Sequence, residues 1–262
     1  MISKSERLLI FRFLFSKKSD GYVSIFAWFS IIGISLGVAA IIIVMSVMNG
    51  FRIDLTNRII GLNSHLNIYS FDNEITNKQA DELILNIDNS FFYQHYKSIE
   101  TNGLIIKSNN SKGVMIKGYD AYDKNHYLFN SINMGALIQN PKSEILIGDS
   151  LAKEMNLSVG DKVKIAIPKT DKTILGNIPR FKTLEVVGVF DLGLYEYDSN
   201  LIFLSSELVR KLLLYDEDIY NKIEFFTSSP NEIELFKNKV ELETSNLLLN
   251  FYSISWKDQN KT

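Results

Sequence analysis

From residue 21 to residue 51 the chain runs for 31 residues without a charge, and no later stretch compares with it. Within it, residues 25–47 (IFAWFSIIGISLGVAAIIIVMSV) supply the roughly 20 apolar residues that a helix needs to cross a bilayer's hydrocarbon core. A signal-peptide apolar region is shorter, about 7–15 residues, and ends at a small-residue cleavage site. A core helix of this length would carry a polar stripe, and this one has none. The pattern therefore predicts a transmembrane helix over residues 21–51. The run is longer than a bilayer requires, so Met45, Met48 and Phe51 are expected near the outer interface, in a helix that continues out of the membrane. Before it, residues 8–15 (LLIFRFLF) are apolar but broken by Arg12, which makes residues 1–20 an amphipathic segment lying along the inner surface.

Beyond the run the pattern becomes mixed. Residues 65–70 (HLNIYS) alternate as a strand does. Thr76 with Gln79 forms a capping box that opens a helix to about Ile87. Residues 98–107 and 113–118 read as paired strands, and residues 144–148 (EILIG) as a buried one, with Asp149 expected to cap a helix over 150–156. Residues 163–167 and 183–190 read as strands joined by a polar loop. Ser205 opens a helix to about Tyr215, residues 223–227 form a strand, Asn231 with Glu234 caps a further helix, and residues 251–256 (FYSISW) close the series. These elements predict a mixed α+β domain over residues 52–262, in two lobes. One lobe is drawn from both ends of that range and the other is centred on about 140–205.

Charge orients the span. Lys4, Arg7, Arg12, Lys17 and Lys18 precede the apolar run, against only Arg52 and Arg58 in the 18 residues after it. That bias predicts a cytoplasmic N-terminus and a domain on the far side, with Trp28 anchoring the inner interface. Within the span Gly33 and Gly37 form a GxxxG, with Ser30 one turn earlier and Ala40 one turn later, a small-residue face suited to helix packing. The net charge of −2 argues against a nucleic-acid partner. The chain has no cysteine, so it has no disulfide framework and no thiolate nucleophile or ligand. His65, His95 and His126 sit in unrelated contexts without metal spacing, and are expected at surfaces or interfaces. Gly113-x-x-x-x-Gly118 is followed by Tyr119 and is no phosphate loop. The acidic run 216–218 reads as solvated surface. No catalytic residue, metal site or cofactor is expected.

Residues 23–62 resemble the first transmembrane helix of LolC/LolE-type permeases, above all in Ser46-Val47-Met48-Asn49-Gly50-Phe51, followed by Leu55, Arg58, Ile59 and Gly61. A second block is similar too: Ile147-Gly148, Leu151-Ala152 and Leu157-x-Val159-Gly160-Asp161. A third is the stretch 168–179 (PKTDKTILGNIP), which looks like the hook of LolC-type subunits. The resemblance implies a periplasmic domain of the MacB/LolC type in the bacterial inner membrane. It also implies a permease subunit of an ABC transporter for lipoprotein release, hydrolysing no ATP itself. The implied partners are a cytoplasmic ATPase, a second permease subunit, lipoprotein substrates and a periplasmic lipoprotein carrier. Such permeases have four transmembrane helices. This chain stops at Thr262 after one, so a fragment is expected, with LolC-type, LolE-type and single fused-role subunits all open. A related mechanotransmitting permease of the MacB or FtsX kind, and a single-span scaffold or sensor, are the competing readings.

Two sets of site residues follow from the resemblance. In the hook, Pro168 is expected to end one strand and Pro179 to delay the next. Ile174, Leu175 and Gly176 would then form an apolar tip, with Arg180 and Lys182 at its base, docking the carrier. At the outer end of the helix Val44, Met45, Met48 and Phe51 are expected to line one side of an acyl-chain cavity, since flexible Met suits irregular lipid chains. Plain lipid contact or helix packing is the alternative there.

Overall fold

The computed structural model describes residues 5, 6, 8, 9, 21–62, 64–87, 91–122, 127–173, 176–216 and 218–259. The chain divides into two compact units, Met1–Asn57 and Arg58–Thr262. The first contains most of α1 (Gly21–Leu62), a single uninterrupted helix. Its segment Ser24–Asp54 is long and apolar enough to cross a membrane, and none of its most apolar stretch is buried. Apolar side chains occupy every side of it, as a helix solvated by lipid requires.

The second unit is an α+β fold. In chain order it comprises β1 (Leu66–Ser70), β2 (Ile75–Thr76), α2 (Asn77–Asn86), β3 (Gln94–Lys107), β4 (Asn110–Tyr119), β5 (Ile132–Gly135) and β6 (Glu144–Gly148). It continues with α3 (Asp149–Glu154), β7 (Lys162–Thr173), β8 (Gly176–Phe190), α4 (Tyr195–Asn200), β9 (Leu201–Ser205) and α5 (Ser206–Leu213). β10 (Ile219–Tyr220), β11 (Lys222–Phe226), α6 (Ile233–Asn246), β12 (Phe251–Ser255) and α7 (Trp256–Gln259) complete it.

Four antiparallel strands lie in the order β12-β1-β11-β3, and α2 and α6 connect them as β1-α2-β3 and β11-α6-β12. This is a split βαβ arrangement. One face of its sheet carries Leu66, Ile68, Ile223 and Phe225, which pack with Ala80 and Leu83 of α2 and Phe236 and Val240 of α6. Everything between β3 and β11 builds a second assembly. β3 pairs with β4, β4 with β9, β9 with β6, β6 with β8, β8 with β7, and β7 returns to β3 through Leu104–Ile106. The six strands therefore close on themselves, which leaves no unpaired edge around the ring. Inward residues such as Ile105, Val114, Ile116, Ile147, Ile165, Val186 and Ile202 fill it, all at most 4% exposed.

Local signals explain most of the boundaries. Thr76 caps α2 in a reciprocal box: its hydroxyl accepts from the Gln79 amide at 3.3 Å, and the Gln79 side chain accepts from the Thr76 amide at 3.0 Å. The Ser205 hydroxyl accepts from Leu208 N at 3.1 Å and starts α5, which ends at Leu214 in the left-handed region at φ 59°. Two expected caps are different. Gly148, not Asp149, is the N-cap of α3, and Asp149 lies in its first turn beside Lys153. α6 starts after a 3₁₀ turn at Pro230–Glu232 without a side-chain cap. Close packing supplies the reason at Gly148: a Cβ there would lie 2.1 Å from the Asp198 carbonyl oxygen, so the strand end must be glycine.

Candidate functional site

The three residue groups singled out by sequence fall in different places. On α1, Val44, Met45, Met48 and Phe51 are all exposed, as are their neighbours on every side. Gly33 and Gly37 have nothing within 4 Å of where a Cβ would stand. The helix thus offers an open apolar surface, with a notch at Gly33 and Gly37 that nothing among the described residues fills.

The hook is a hairpin, not a loop held off the sheet. Strand β7 runs through Pro168 to Thr173, and β8 begins at Gly176 and runs through Pro179, with Thr170 opposite Pro179 and Thr173 opposite Gly176. The expectation that the prolines bound the strands fails for a physical reason. Past Ile167 each strand of this ribbon has only the other as its partner among the described residues. A proline N on the open side of such a ribbon breaks no ladder bond. The register slips between Ile167 and Thr170, at the position of Pro168, as a bulge accommodates an unpairable residue. At the base, Arg180 donates from Nη1 to the Lys211 carbonyl oxygen at 3.3 Å, tying the base of the ribbon to α5. Lys182 and Phe181 are exposed. Ile174 and Leu175 lie outside the described residues.

The face of the split βαβ sheet opposite α2 and α6 holds a group of charges that sequence reading missed. Cross-strand partners project to the same face, and the register sets Glu100 opposite Lys117 and Lys222 opposite Ser98. There the Lys222 ammonium lies 2.9 Å from Glu100 and 3.1 Å from Glu224, and the Lys117 ammonium lies 3.4 Å from Glu224 and 3.9 Å from Glu100. The Tyr119 hydroxyl donates to the second Glu224 oxygen at 2.7 Å. Glu224 is 1% exposed. Burial pushes its carboxyl upward, but Lys117, Lys222 and the Tyr119 hydroxyl outweigh that and hold it at about 2. Burial pushes Lys222 down, and the carboxylates of Glu224 and Glu100 carry it well above the ordinary lysine value instead. Glu224 and Lys222 are both ionised throughout the physiological range.

Beside this cluster the sheet face and α4 flank an open cleft of about 370 Å³, with Asn67, Tyr69, Glu100, Lys117 and Lys222 on one wall and Glu196 and Tyr197 on the other. The signal for it lay in the strand KIEFF. Lys222 and Glu224 stand two residues apart, on one face of an otherwise apolar segment. One histidine differs from expectation. His65 is buried, its Nδ1 accepting from Thr227 N at 2.8 Å, so it closes a strand end instead of lying at a surface. His95 is exposed, and His126 lies outside the described residues.

Residues 27–241 match the family described as the MacB-like periplasmic core domain. Among individual proteins, the chain is similar to the lipoprotein-releasing system transmembrane protein LolC of Neisseria meningitidis serogroup B, 29% identical over 213 residues, covering 79% of this chain and 51% of that protein. It is similar to the lipoprotein-releasing system transmembrane protein LolE of Haemophilus influenzae, 26% identical over 226 residues, covering 84% of this chain and 54% of that protein. The chain thus spans about half the length of these relatives. Among solved structures, the periplasmic region of MacB from Actinobacillus actinomycetemcomitans aligns over 78% of this chain and 96% of that one, at 15% identity and a TM-score of 0.48.

Proposed function

The chain belongs to the family of MacB-like periplasmic core domains, and from that premise we propose that it serves as a membrane subunit of an ATP-driven complex that extracts lipoproteins and passes them to a periplasmic carrier. What carries the reading is the likeness to LolC along 79% of the chain, hook segment included. In this reading α1 crosses the inner membrane with its N-terminus in the cytoplasm, as the five-to-two Lys/Arg bias favours, and residues from about 60 onward lie in the periplasm. Val44, Met45, Met48 and Phe51 contact lipid chains of the cargo, and Gly33 and Gly37 receive a helix of the same or a second permease subunit. A cytoplasmic ATPase supplies hydrolysis, and the chain contributes no catalytic residue.

The β7–β8 ribbon is the docking element for the carrier. Its apolar tip at Ile174, Leu175 and Gly176 is the energetic centre, and Arg180 and Lys182 at the base steer encounter, since binding energy concentrates in desolvated anchors while rim charges act on association rate. Pro168 and Pro179 stiffen the ribbon by fixing φ. Titration of the full chain in detergent micelles with the periplasmic carrier tests this. Replacing Ile174 and Leu175 by Ala weakens binding by about 1–3 kcal/mol, and charge reversal at Lys182 slows association in a way that fades at high salt. Unchanged affinity after deletion of residues 170–177, with circular dichroism unaltered, would return the carrier site to another surface. A second reading, a mechanotransmitting permease serving efflux or cell-wall enzymes, is favoured by the MacB-like description of the matching family. It requires that no lipoprotein is released through this chain.

A further inference from the structure

The cavity between the open sheet face and α4 is walled by hydrogen-bond donors that the protein itself leaves underused. Asn67 is 1% exposed, and its Oδ1 accepts from the Ser64 hydroxyl, but its amide nitrogen donates to nothing among the described residues. Lys117 is 5% exposed and has three N–H donors, yet it makes one hydrogen bond, at 3.4 Å to Glu224, with its next carboxylate 3.9 Å away. Both of these line the same space, so an occupant there can supply them with acceptors.

Charge narrows the occupant. Around the cavity stand two ammonium groups, Lys117 and Lys222, and three carboxylates, Glu100 and Glu196 in the wall and Glu224 behind it. A simple anion would meet an excess of carboxylate. A simple cation would have to approach two buried ammonium groups. A molecule with an oxyanion at one end and an ammonium at the other suits both walls, and about 370 Å³ falls at the small end of ligand pockets. We propose that this cavity binds a small zwitterion, with its oxyanion on Lys117 and Asn67 and its ammonium on Glu196 and Glu100. The face of Tyr69, beneath which Lys222 lies 5.7 Å from the ring centroid, and Tyr197 flank the ligand and limit water. The inference stands apart from the transport reading, because it uses only groups within residues 67–259.

The experiment is isothermal titration of the full chain in uncharged detergent micelles with four probes: O-phosphoethanolamine, L-alanine, ethanolamine and glycerol phosphate. At least one of the first two binds saturably at millimolar concentration or below, and the two singly functional probes bind at least about tenfold more weakly. Preference between O-phosphoethanolamine and L-alanine tells a lipid headgroup from a free amino acid. Glu196→Gln changes an exposed side chain and weakens the zwitterion about tenfold with circular dichroism unaltered, and Asn67→Leu does the same from the opposite wall. No saturable binding below about 10 mM, equal binding of ethanolamine or glycerol phosphate, or unchanged affinity in Glu196→Gln would overturn the proposal.

Discussion

The Lys222 ammonium and the Glu224 carboxylate lie 3.1 Å apart on one face of a single strand, and both side chains are at least 95% buried. Their neighbours make the arrangement interdependent, since Glu224 also takes Lys117 and the Tyr119 hydroxyl. Removing one member of such a cluster leaves an uncompensated buried charge, at a cost of about 3–5 kcal/mol. Glu224→Gln is therefore expected to lower the urea midpoint of the chain sharply. Glu224→Gln combined with Lys222→Met should recover part of the loss, and chemical denaturation of both variants checks this. Linkage gives the pH sign. The Glu224 carboxyl is held at about 2, below its ordinary 4.5, so its contribution is present above pH 4.5 and is lost as pH falls toward 2.

A second carboxyl behaves in the opposite sense. Asp198 is 4% exposed, accepts from Leu192 N at 2.8 Å and shares a hydrogen bond with Asp191. Burial first, and Asp191 next to it, raise it from 3.8 to about 6, while the Gly193 amide and further donors lower Asp191. Because Asp198 holds its proton more tightly in the folded chain, its stabilising contribution is complete below pH 3.8 and is lost as pH rises through about 6. Asp198→Asn keeps an acceptor for Leu192 N and is expected to be more stable than the parent at pH 7.5 by about 1–3 kcal/mol. The difference should vanish near pH 4. Denaturation midpoints of the two proteins across that range decide it.

Gly148 offers a steric test of how the ring of strands meets α4. An added Cβ would sit 2.1 Å from the Asp198 carbonyl oxygen and 2.7 Å from its Cα, both backbone atoms that cannot rotate away. Gly148→Ala is expected to destabilise the chain by about 2–4 kcal/mol. Gly113→Ala, where nothing lies within 4 Å, should be nearly neutral in the same thermal melt.

What the sequence made legible was whatever depends on neighbouring residues. The apolar run, the Thr76–Gln79 box and the Ser205 cap are local devices, and each stands where its pattern put it. Long-range register was not legible. Closure of the six strands depends on Leu104 meeting Ala166, and no periodicity within β3 or β7 announces that meeting. The charge cluster was hidden for the same reason. Glu100, Lys117, Lys222 and Glu224 occupy alternating positions that read as the wet side of ordinary strands until pairing places them together. The hook was misread because proline was taken as a strand terminator, whereas in a ribbon with a free edge it only shifts the register.

Orientation has its own test. The parent chain has no cysteine, so Ser111→Cys introduces a single thiol at an exposed position of the β3–β4 hairpin. It is expected to react with a membrane-impermeant maleimide in intact spheroplasts. Labelling that appears only after lysis would place the domain in the cytoplasm and reverse the assignment.

The central claim, that lipoproteins leave the membrane through a complex containing this chain, is tested most directly by release from spheroplasts. Cells depleted of the gene product are pulse-labelled, and purified periplasmic carrier is added to the medium. The account predicts that labelled lipoprotein stays in the inner membrane after depletion. It also predicts that the intact gene restores release, and that a copy lacking residues 170–177 does not. Undiminished release from depleted spheroplasts would contradict it.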